Sequence, residues 1–313
     1  MHIGRSVVNI IITLASTGAL LSLGALFSGY HLLLDVISHF RVQYIVLLLP
    51  VFFIAILAKK IIPTIIITLA LAAHGYIVAS SLLPTPTRSD PDYLELTVLN
   101  SNLLMSNANY QAQLDIIEEK KPDIIAFEEY THLWHEVLVS SLQDYPYQIT
   151  HPSYGAFGIA LYSKHPITNG GVDYFTISAY PVINVDVQLA DNNVRIIAVH
   201  PPPPSTALMH EIRNKTMHRI ASESSTQDNA VIVMGDFNST PWTSHFSDMT
   251  SDGGLSNTRA GHGFHPTWPS GFFPLLIPID HILVNSYVGI QHFESIFLEG
   301  SDHRNILSRL RIY

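Results

Sequence analysis

Two polar side chains suited to binding a metal ion stand directly after an apolar stretch of the chain. Residues 230–234 form a continuous apolar run typical of a buried strand, and Asp236 and Asn238 follow it. Because alternate residues of an extended segment face the same side, this carboxylate and this amide oxygen can meet one hard cation. The same residue types are common in turns that end strands, and for this pair alone the turn is the better interpretation.

Other polar residues also follow predicted strands. The strand over residues 193–199 leads to His200, which by itself is best interpreted as a strand-end residue before four prolines. Along the chain, the polar residues at predicted strand ends are Asn102, Glu129, His200, Asp236, Asn238, Asp280, Asp302 and His303. Because strand ends of an α/β unit collect at one edge of a sheet, we expect these residues to share a site.

The segments between these residues predict the elements that position them. Tyr110, Leu114 and Ile117 recur at helical spacing, with Ser106 or Asn107 as the N-cap. Further predictions are a helix over residues 205–222 and strands over 94–99, 123–127, 157–162, 181–189, 193–199, 230–234 and 305–312. The strand, helix, strand order indicates an α/β unit, and the hairpin-like strands after it favour a mixed or antiparallel sheet.

The N-terminal part of the chain is strongly apolar. The whole chain is 47% hydrophobic and 13% charged, and the runs 7–27, 42–58 and 61–83 hold no Asp, Glu, Lys or Arg. Each run is near the roughly 20 residues that span a bilayer, so three transmembrane helices are predicted. Core helices rarely stay uncharged on every face over such lengths, and a cleavable signal peptide would explain only the first run.

Basic residues near these runs give the predicted orientation. Arg5 precedes the first run, Lys59 and Lys60 join the second to the third, and Arg41 is the basic residue of the other connection. The positive-inside rule places Lys59 and Lys60 in the cytoplasm, and three spans then bring the following domain outside. The sequence therefore predicts a multi-pass protein of the cell (inner) membrane with an extracytoplasmic domain.

The remaining sequence predicts a linker and an acidic domain. Residues 84–93, rich in proline and polar residues, are predicted to join a membrane domain over 1–83 to a catalytic domain over 94–313. Residues 1–83 hold four of the 16 basic and one of the 25 acidic residues, so 12 basic and 24 acidic residues give the rest a net charge near −12. This charge disfavours nucleic acid, and the absence of cysteine excludes disulfides and a thiolate nucleophile.

Five short motifs, taken in order, resemble those of the endonuclease/exonuclease/phosphatase superfamily, and the resemblance covers residues 94–313. The motifs span residues 99–103, 122–129, 235–238, 279–283 and 301–303. The resemblance implies an α/β fold, a four-layer α/β/β/α sandwich, with a metal-dependent hydrolytic site at one edge of its two sheets. The preceding apolar runs are similar to those of bacterial membrane members, including the teicoplanin-resistance membrane proteins.

The resemblance also implies a role for each site residue. Glu129 is implied to be the main ligand of Mg²⁺ or Mn²⁺, with Asn102 and Asp302 near the ion. Asp236 is implied to orient or deprotonate the attacking water, and Asn238 to hold the phosphoryl group.

The histidines receive roles in the same way. His303 is implied to stabilise charge that develops on phosphorus or to act as an acid, with Asp280 fixing its ring. His200 matches the second active-site histidine of the pancreatic deoxyribonuclease and sphingomyelinase branches. Phosphoryl transfer needs positioning and charge neutralisation more than covalent chemistry, so no protein nucleophile is required.

Two positions depart from the family pattern. Ser101 stands where a tryptophan often precedes the first asparagine, which leaves Asn100 and Asn102 as alternatives, and strand phase favours Asn102. Glu128 stands where the family usually has glutamine, and we expect it to add a negative charge near the ion. Glu129 is still the expected ligand.

Three functions are compatible with these features. The leading hypothesis is a Mg²⁺-dependent phosphohydrolase that acts at the outer membrane face on a lipid-linked phosphate ester or pyrophosphate. The alternative is an extracytoplasmic metal-dependent nuclease. A non-catalytic binding module is disfavoured because every expected site position carries a usable side chain.

An apolar run over residues 272–277 precedes the strand that begins at Asp280. Such a run is usually core. Gly271, Pro274 and Pro278 interrupt regular structure, however, and favour a loop beside the site that could contact lipid.

Reporter fusions after Asp92 test the predicted orientation. We expect alkaline phosphatase at this position to be active and green fluorescent protein to be dark, because three spans carry the chain out of the cytoplasm. Reporter activity in intact cells is the measurement, and fusions after Lys60, expected to give the opposite pattern, are the control. If the alkaline phosphatase fused after Asp92 is inactive and the green fluorescent protein fused there is fluorescent, the predicted topology is wrong.

Overall fold

The computed structural model describes residues 2–84 and 91–313. The described residues form two compact units: residues 2–83 with Trp242–Ser244, and the remainder of the described chain. Residues 85–90 of the predicted linker lie outside the described residues.

The N-terminal unit is almost wholly helical over residues 2–82. Its elements are α1 (His2–Ser22), a short 3-10 helix (Leu23–Phe27), α2 (Leu32–Ser38), α3 (Arg41–Leu57) and α4 (Ile61–Leu82). Two stretches are long and apolar enough to cross a membrane, Arg5–Phe27 and Ile61–Leu82. Helices α2 and α3 pass the same test only as a pair, bent by 64°. The expected three spans are therefore two helices, or three if the bent pair counts as one span.

The length of α3 explains this difference from the sequence prediction. With 17 residues and a rise of 1.5 Å per residue, α3 is about 26 Å long, whereas the hydrocarbon core is about 30 Å thick. The predicted second run, residues 42–58, nearly coincides with α3, and an uncharged composition alone does not distinguish a full span from a somewhat shorter helix.

Arg41 is buried within the helical unit. Its side chain is only 2% exposed, one guanidinium nitrogen donates to the carbonyl of Ala25 at 2.7 Å, and another lies 3.1 Å from Nδ1 of His74. A buried guanidinium with these two contacts helps to hold the helices together. Arg41 therefore does not report which side of a membrane its connection lies on, whereas the other basic residues near the runs still favour the orientation predicted above.

The second unit is built from two six-stranded sheets. The first sheet has the order β11-β12-β1-β2-β4-β3 and the second β5-β6-β7-β8-β10-β9. The strands are β1 (Leu94–Asn102), β2 (Ile124–Glu128), β3 (Tyr147–His151), β4 (Ile159–Ser163), β5 (Ile167–Asp173), β6 (Val182–Leu189), β7 (Asn192–Val199), β8 (Ala230–Asp236), β9 (Ser256–Asn257), β10 (Asp280–Val284), β11 (Val288–Phe297) and β12 (Arg304–Ile312).

Each sheet carries helices on its outer face. The helices are α5 (Tyr110–Lys120), α6 (His132–Ser141), α7 (Ala207–Ser225) and α8 (Ser244–Asp252). The inner faces of both sheets meet in one core that includes Val98, Ile124, Ile196 and Ile232. Separate apolar layers join α5 and α6 to the first sheet, and α7 and α8 to the second. The domain is therefore the four-layer α/β/β/α sandwich that was expected.

Most predicted elements form within a few residues of their expected limits, but the N-cap of α5 was placed wrongly. Asn109 caps the helix, because its side chain accepts from the backbone N–H of Ala112 at 3.4 Å. Asn107 instead accepts from the N–H of Asn109 at 2.8 Å. Both asparagines occupy the same turn, and residue type alone does not distinguish the capping one.

Parallel pairing of strands brings the candidate site residues to one edge of the sandwich. Strands β1 and β2 run parallel in the first sheet, and β7 and β8 run parallel in the second. The close approach of β7 and β8 depends on Gly235, which has a φ of 154° and faces the Val199 carbonyl where a Cβ would clash. Gly235 therefore allows β7 and β8 to approach closely just before Asp236.

Candidate active site

Asp236 and Asp280 lie opposite each other on adjacent strands. The antiparallel register of β8 and β10 pairs them directly, and both side chains are 2% exposed. Like charges opposite each other on a sheet are destabilising, more so where water is excluded. The site therefore needs a compensating positive charge.

His303 supplies that charge. Its Nδ1 lies 3.0 and 3.2 Å from the two carboxylate oxygens of Asp280, and its Nε2 lies 3.7 Å from Oδ2 of Asp236. Burial by itself lowers the pKa of His303, but these two carboxylates outweigh burial and raise the pKa to about 10. The ring is therefore an imidazolium at neutral pH, with Nδ1 donating to Asp280.

Asp236 is surrounded by nitrogen atoms. Its Oδ2 accepts from the side-chain amide of Asn102 at 3.2 Å and lies 3.5 Å from Nε2 of His200, while its Oδ1 accepts from the backbone N–H of Asn238 at 2.8 Å. Burial raises the pKa of Asp236, but the charge of His303 and the bonds from His200 and Asn238 outweigh it and lower the pKa below its ordinary value. Asp236 is therefore ionised at neutral pH.

Asn102 connects this cluster to Glu129. Its side-chain amide also lies 3.4 Å from Oε1 of Glu129, whose Oε2 accepts from the backbone N–H of Met105 at 2.7 Å. Glu129 has a positive φ of 54°, so the chain turns out of strand phase immediately after β2. Left-handed backbone at a non-glycine residue is a form of strain that concentrates at functional sites.

Glu128 takes a different position from its neighbour. It is fully buried, and its Oε2 accepts from the side-chain amide of Asn100 at 3.1 Å. Burial raises its pKa well above the ordinary value, with the charges of Asp280 and Asp236 adding to the effect. This shift favours the neutral form of Glu128 and so opposes the extra negative charge expected there. This arrangement also separates Asn100, which binds Glu128, from Asn102.

Asp302 precedes His303, and its two carboxylate oxygens differ in their hydrogen bonding. Its Oδ2 accepts from the indole N–H of Trp268 at 2.9 Å. Its Oδ1 is buried and has no hydrogen-bond partner among residues 2–84 and 91–313. Ser301 donates to the carbonyl of Asn102 at 2.9 Å and accepts from the backbone N–H of His303, which fixes this loop to the end of β1.

Asn238 is held in a left-handed conformation with a φ of 48°. Its side-chain amide donates to the carbonyl of Pro201 at 3.0 Å, and its own carbonyl accepts from the buried guanidinium of Arg213 at 3.1 Å. The prolines after His200 thus help to place Asn238.

Sequence reasoning missed three supporting residues. Thr267 accepts from the backbone N–H groups of Ile279 and Asp280, Trp268 binds Asp302, and Arg213 binds Asn238. Thr267 and Trp268 occur in an irregular segment without periodicity, and Arg213 is a charged residue of a type that is usually exposed on a helix. An arginine between core positions of a predicted helix was the one available signal.

Two groups of side chains could hold a divalent cation. Within the described residues, the side chains of Asp236, Asp280 and His303 offer ligand atoms within 4.8 Å of one another. The imidazolium of His303 repels a cation, however, and already offsets part of the charge of the two neighbouring carboxylates. The second candidate is the pair of ligands that the family resemblance implies, Glu129 and Asp302. Carboxylate oxygens suit a hard cation, and Oδ1 of Asp302 is buried without a hydrogen-bond partner among the described residues.

The fold and the site define a class of protein, and the comparisons with known proteins agree with it. The model of the Endonuclease/Exonuclease/phosphatase family matches residues 99–303. The chain belongs to this family, whose members are metal-dependent phosphoesterases and nucleases that typically use Mg²⁺. No curated protein matches the chain.

Several solved structures share the fold. TDP2 from D. rerio, complexed with single strand DNA product, has a TM-score of 0.59 at 15% identity, covering 69% of this chain and 98% of that chain. The endonuclease/exonuclease/phosphatase from Bacteroides vulgatus has a TM-score of 0.57 at 16% identity, covering 70% and 100%. A family protein from Leptotrichia buccalis C-1013-b has a TM-score of 0.55 at 20% identity, covering 69% and 99%. At these identities the likeness establishes the fold.

Metal-dependent thermal stabilisation distinguishes the two candidate ion sites. We expect Mg²⁺ to raise the Tm of the purified full chain, because a ligand that binds only the folded state stabilises it by about 2.7 kcal/mol at a hundredfold excess over Kd. Glu129→Gln should lose this rise, whereas Asp280→Asn and the exposed control Glu118→Gln should keep it. The opposite result for Glu129 and Asp280 would place the ion between Asp236, Asp280 and His303.

Proposed function

We propose that this chain is a divalent-metal-dependent phosphohydrolase that acts at the outer face of a membrane on a lipid-linked phosphate ester or pyrophosphate. The observation that carries the hydrolytic part is the run of contacts from Glu129 through Asn102 and Asp236 to His303 and Asp280. The membrane part is supported by the two or three helices that are apolar enough to cross a bilayer.

In this proposal Asp236 orients the attacking water. Its lowered pKa makes it a weak base, so holding the water for attack suits it better than taking the proton before attack. The water oxygen forms a bond to phosphorus, the bond from phosphorus to the ester or bridging oxygen breaks, and the proton that the attacking water loses passes through solvent to the departing oxygen. Asn238, tied to Asp236 and Pro201, holds the phosphoryl group in line.

His303 contributes fixed positive charge. A pKa of about 10 makes it a poor acid at neutral pH, so it stabilises negative charge on the phosphoryl oxygens, and Asp280 keeps its ring in place. Nε2 of His200 approaches the same oxygen of Asp236 as Nε2 of His303 does, and it can bind a further oxygen. Glu129, with Asn102 and Asp302 nearby, would hold the divalent cation, which supplies charge neutralisation when bound.

The substrate class follows from charge and location. A domain with a net charge near −12 repels a long phosphate polymer, whereas one lipid-borne phosphate can be met by the cation and His303. A nuclease is the second candidate, since the similarly folded TDP2 from D. rerio is complexed with single strand DNA product. Charge favours the lipid-linked substrate.

A substrate panel tests this proposal. We expect the full chain in detergent to release phosphate from a polyprenyl phosphate or pyrophosphate with Mg²⁺, to lose this activity on chelation, and to leave plasmid and single-stranded DNA intact. His303→Ala and Glu129→Ala should each abolish release. Glu129→Ala should lower the Tm by no more than a few degrees, whereas His303→Ala should lower it further, because Asp236 and Asp280 then lose their compensating charge. DNA cleavage without lipid turnover would establish the nuclease instead.

The pH dependence of the rate tests the role of His303. Its pKa of about 10 keeps the ring charged, and the rate high, until the pH approaches that value. Asp280→Asn removes one of the two carboxylates that hold the charge, so the fall in rate at alkaline pH should begin at a lower pH. The exposed variant Asp115→Asn is the control. An alkaline limb at the same pH in both variants would show that the charge of His303 is not needed.

A further inference from the structure

An exposed apolar tip lies on the loop that precedes β10. Phe272, Phe273 and Leu275 are 54%, 85% and 42% exposed, whereas the following Leu276 and Ile277 are buried. A single 3-10 turn, Phe273–Leu275, shapes this tip. Exposed apolar residues that occur singly are ordinary, but three large ones within four positions form a patch of the kind that marks a binding surface.

The base of the loop is fixed to the candidate active site. Ile277 and Trp268 pair through backbone hydrogen bonds of 2.6 and 3.0 Å. Ser270 donates its N–H to the carbonyl of Asp302 at 2.7 Å and its hydroxyl to the carbonyl of Ser301 at 2.9 Å. These hydrogen bonds fix the base of the loop to the segment that carries Asp302.

The loop is also the uncharged part of an acidic domain. Residues 260–279 contain no Asp, Glu, Lys or Arg, although residues 84–313 together carry a net charge near −12. Contact with a bilayer requires apolar side chains that leave water and few charges that must lose their hydration. This loop meets both requirements.

We propose that the apolar tip inserts into the lipid leaflet that faces the catalytic domain and holds the candidate active site at the level of the phosphate headgroups. The inference rests on the proposal that the domain works at a membrane. Residues 83–93 separate α4 from β1 and reach at most about 40 Å when fully extended. The domain thus stays within reach of the bilayer, and a bilayer is the apolar partner always available to the tip.

A single fluorescent probe tests the insertion. The chain has no cysteine, so Phe273→Cys and Asp191→Cys each give one labelling site for a polarity-sensitive dye. Asp191 is the control because it is exposed at the start of β7, whose other end leads to His200, roughly 26 Å away at 3.3 Å per residue.

The labelled full chains are placed in nanodiscs of phosphatidylethanolamine and phosphatidylglycerol, with and without brominated acyl chains. We expect brominated lipid to quench the dye at position 273 and to leave the dye at position 191 unchanged. A dye at 273 that water-soluble iodide quenches as strongly as at 191 would overturn the proposal. A dye at 273 that is shielded from iodide but not quenched by brominated lipid would also overturn it, and would show that protein covers the tip.

Turnover supplies an independent measurement. The double variant Phe272→Ser, Phe273→Ser should lose roughly tenfold or more in kcat/KM on a lipid phosphate in vesicles, because two phenylalanines no longer bury apolar surface. Its rate on a short water-soluble phosphate ester and its Tm should stay unchanged. Equal loss on both substrates with a lower Tm would show that the two residues support the fold. If no lipid phosphate is hydrolysed but the dye is quenched, the proposed substrate fails and the insertion stands.

Discussion

Two carboxylates face each other inside this protein, and the charge on His303 allows both to be accommodated. Asp236 and Asp280 are paired across β8 and β10, where their repulsion is screened poorly by water. An imidazolium beside both carboxylates balances their charges in part. In return, the two carboxylates keep His303 protonated far above its ordinary pKa. The rest of the site is arranged around this triad.

Charge balance also explains the unusual Glu128. Burial, together with the charges of Asp280 and Asp236, raises the pKa of Glu128 well above its ordinary value and so favours the neutral side chain. In that form it has one donor and an acceptor oxygen, much as a glutamine amide does. The acidic residue thus preserves the neutral character of the position, and Glu129 is left to bring negative charge to the candidate metal site.

Much of the fold could be predicted because local patterns agreed with one another. The apolar runs and the polar residues after them gave the order of strands, and strand phase favoured Asn102 over Asn100. The second apolar run was counted as a full span although α3 has only 17 residues, because an uncharged composition does not distinguish a full span from a somewhat shorter helix. Thr267 and Trp268 were missed because their importance depends on contacts with residues distant in sequence. The mechanistic roles assigned from the family motifs remain predictions, as does the extracytoplasmic position of the domain.

The unbroken contacts from Glu129 to Asp280 have a consequence for how mutational data on this protein must be interpreted. Residues that act as one unit give strongly non-additive effects, so a second substitution costs little once the first has disabled the unit. Double-mutant cycles between Asn102, Asp236 and His303 would measure shared coupling energies. The energy of the site therefore belongs to the assembled group, and no single side chain has a separable share of it.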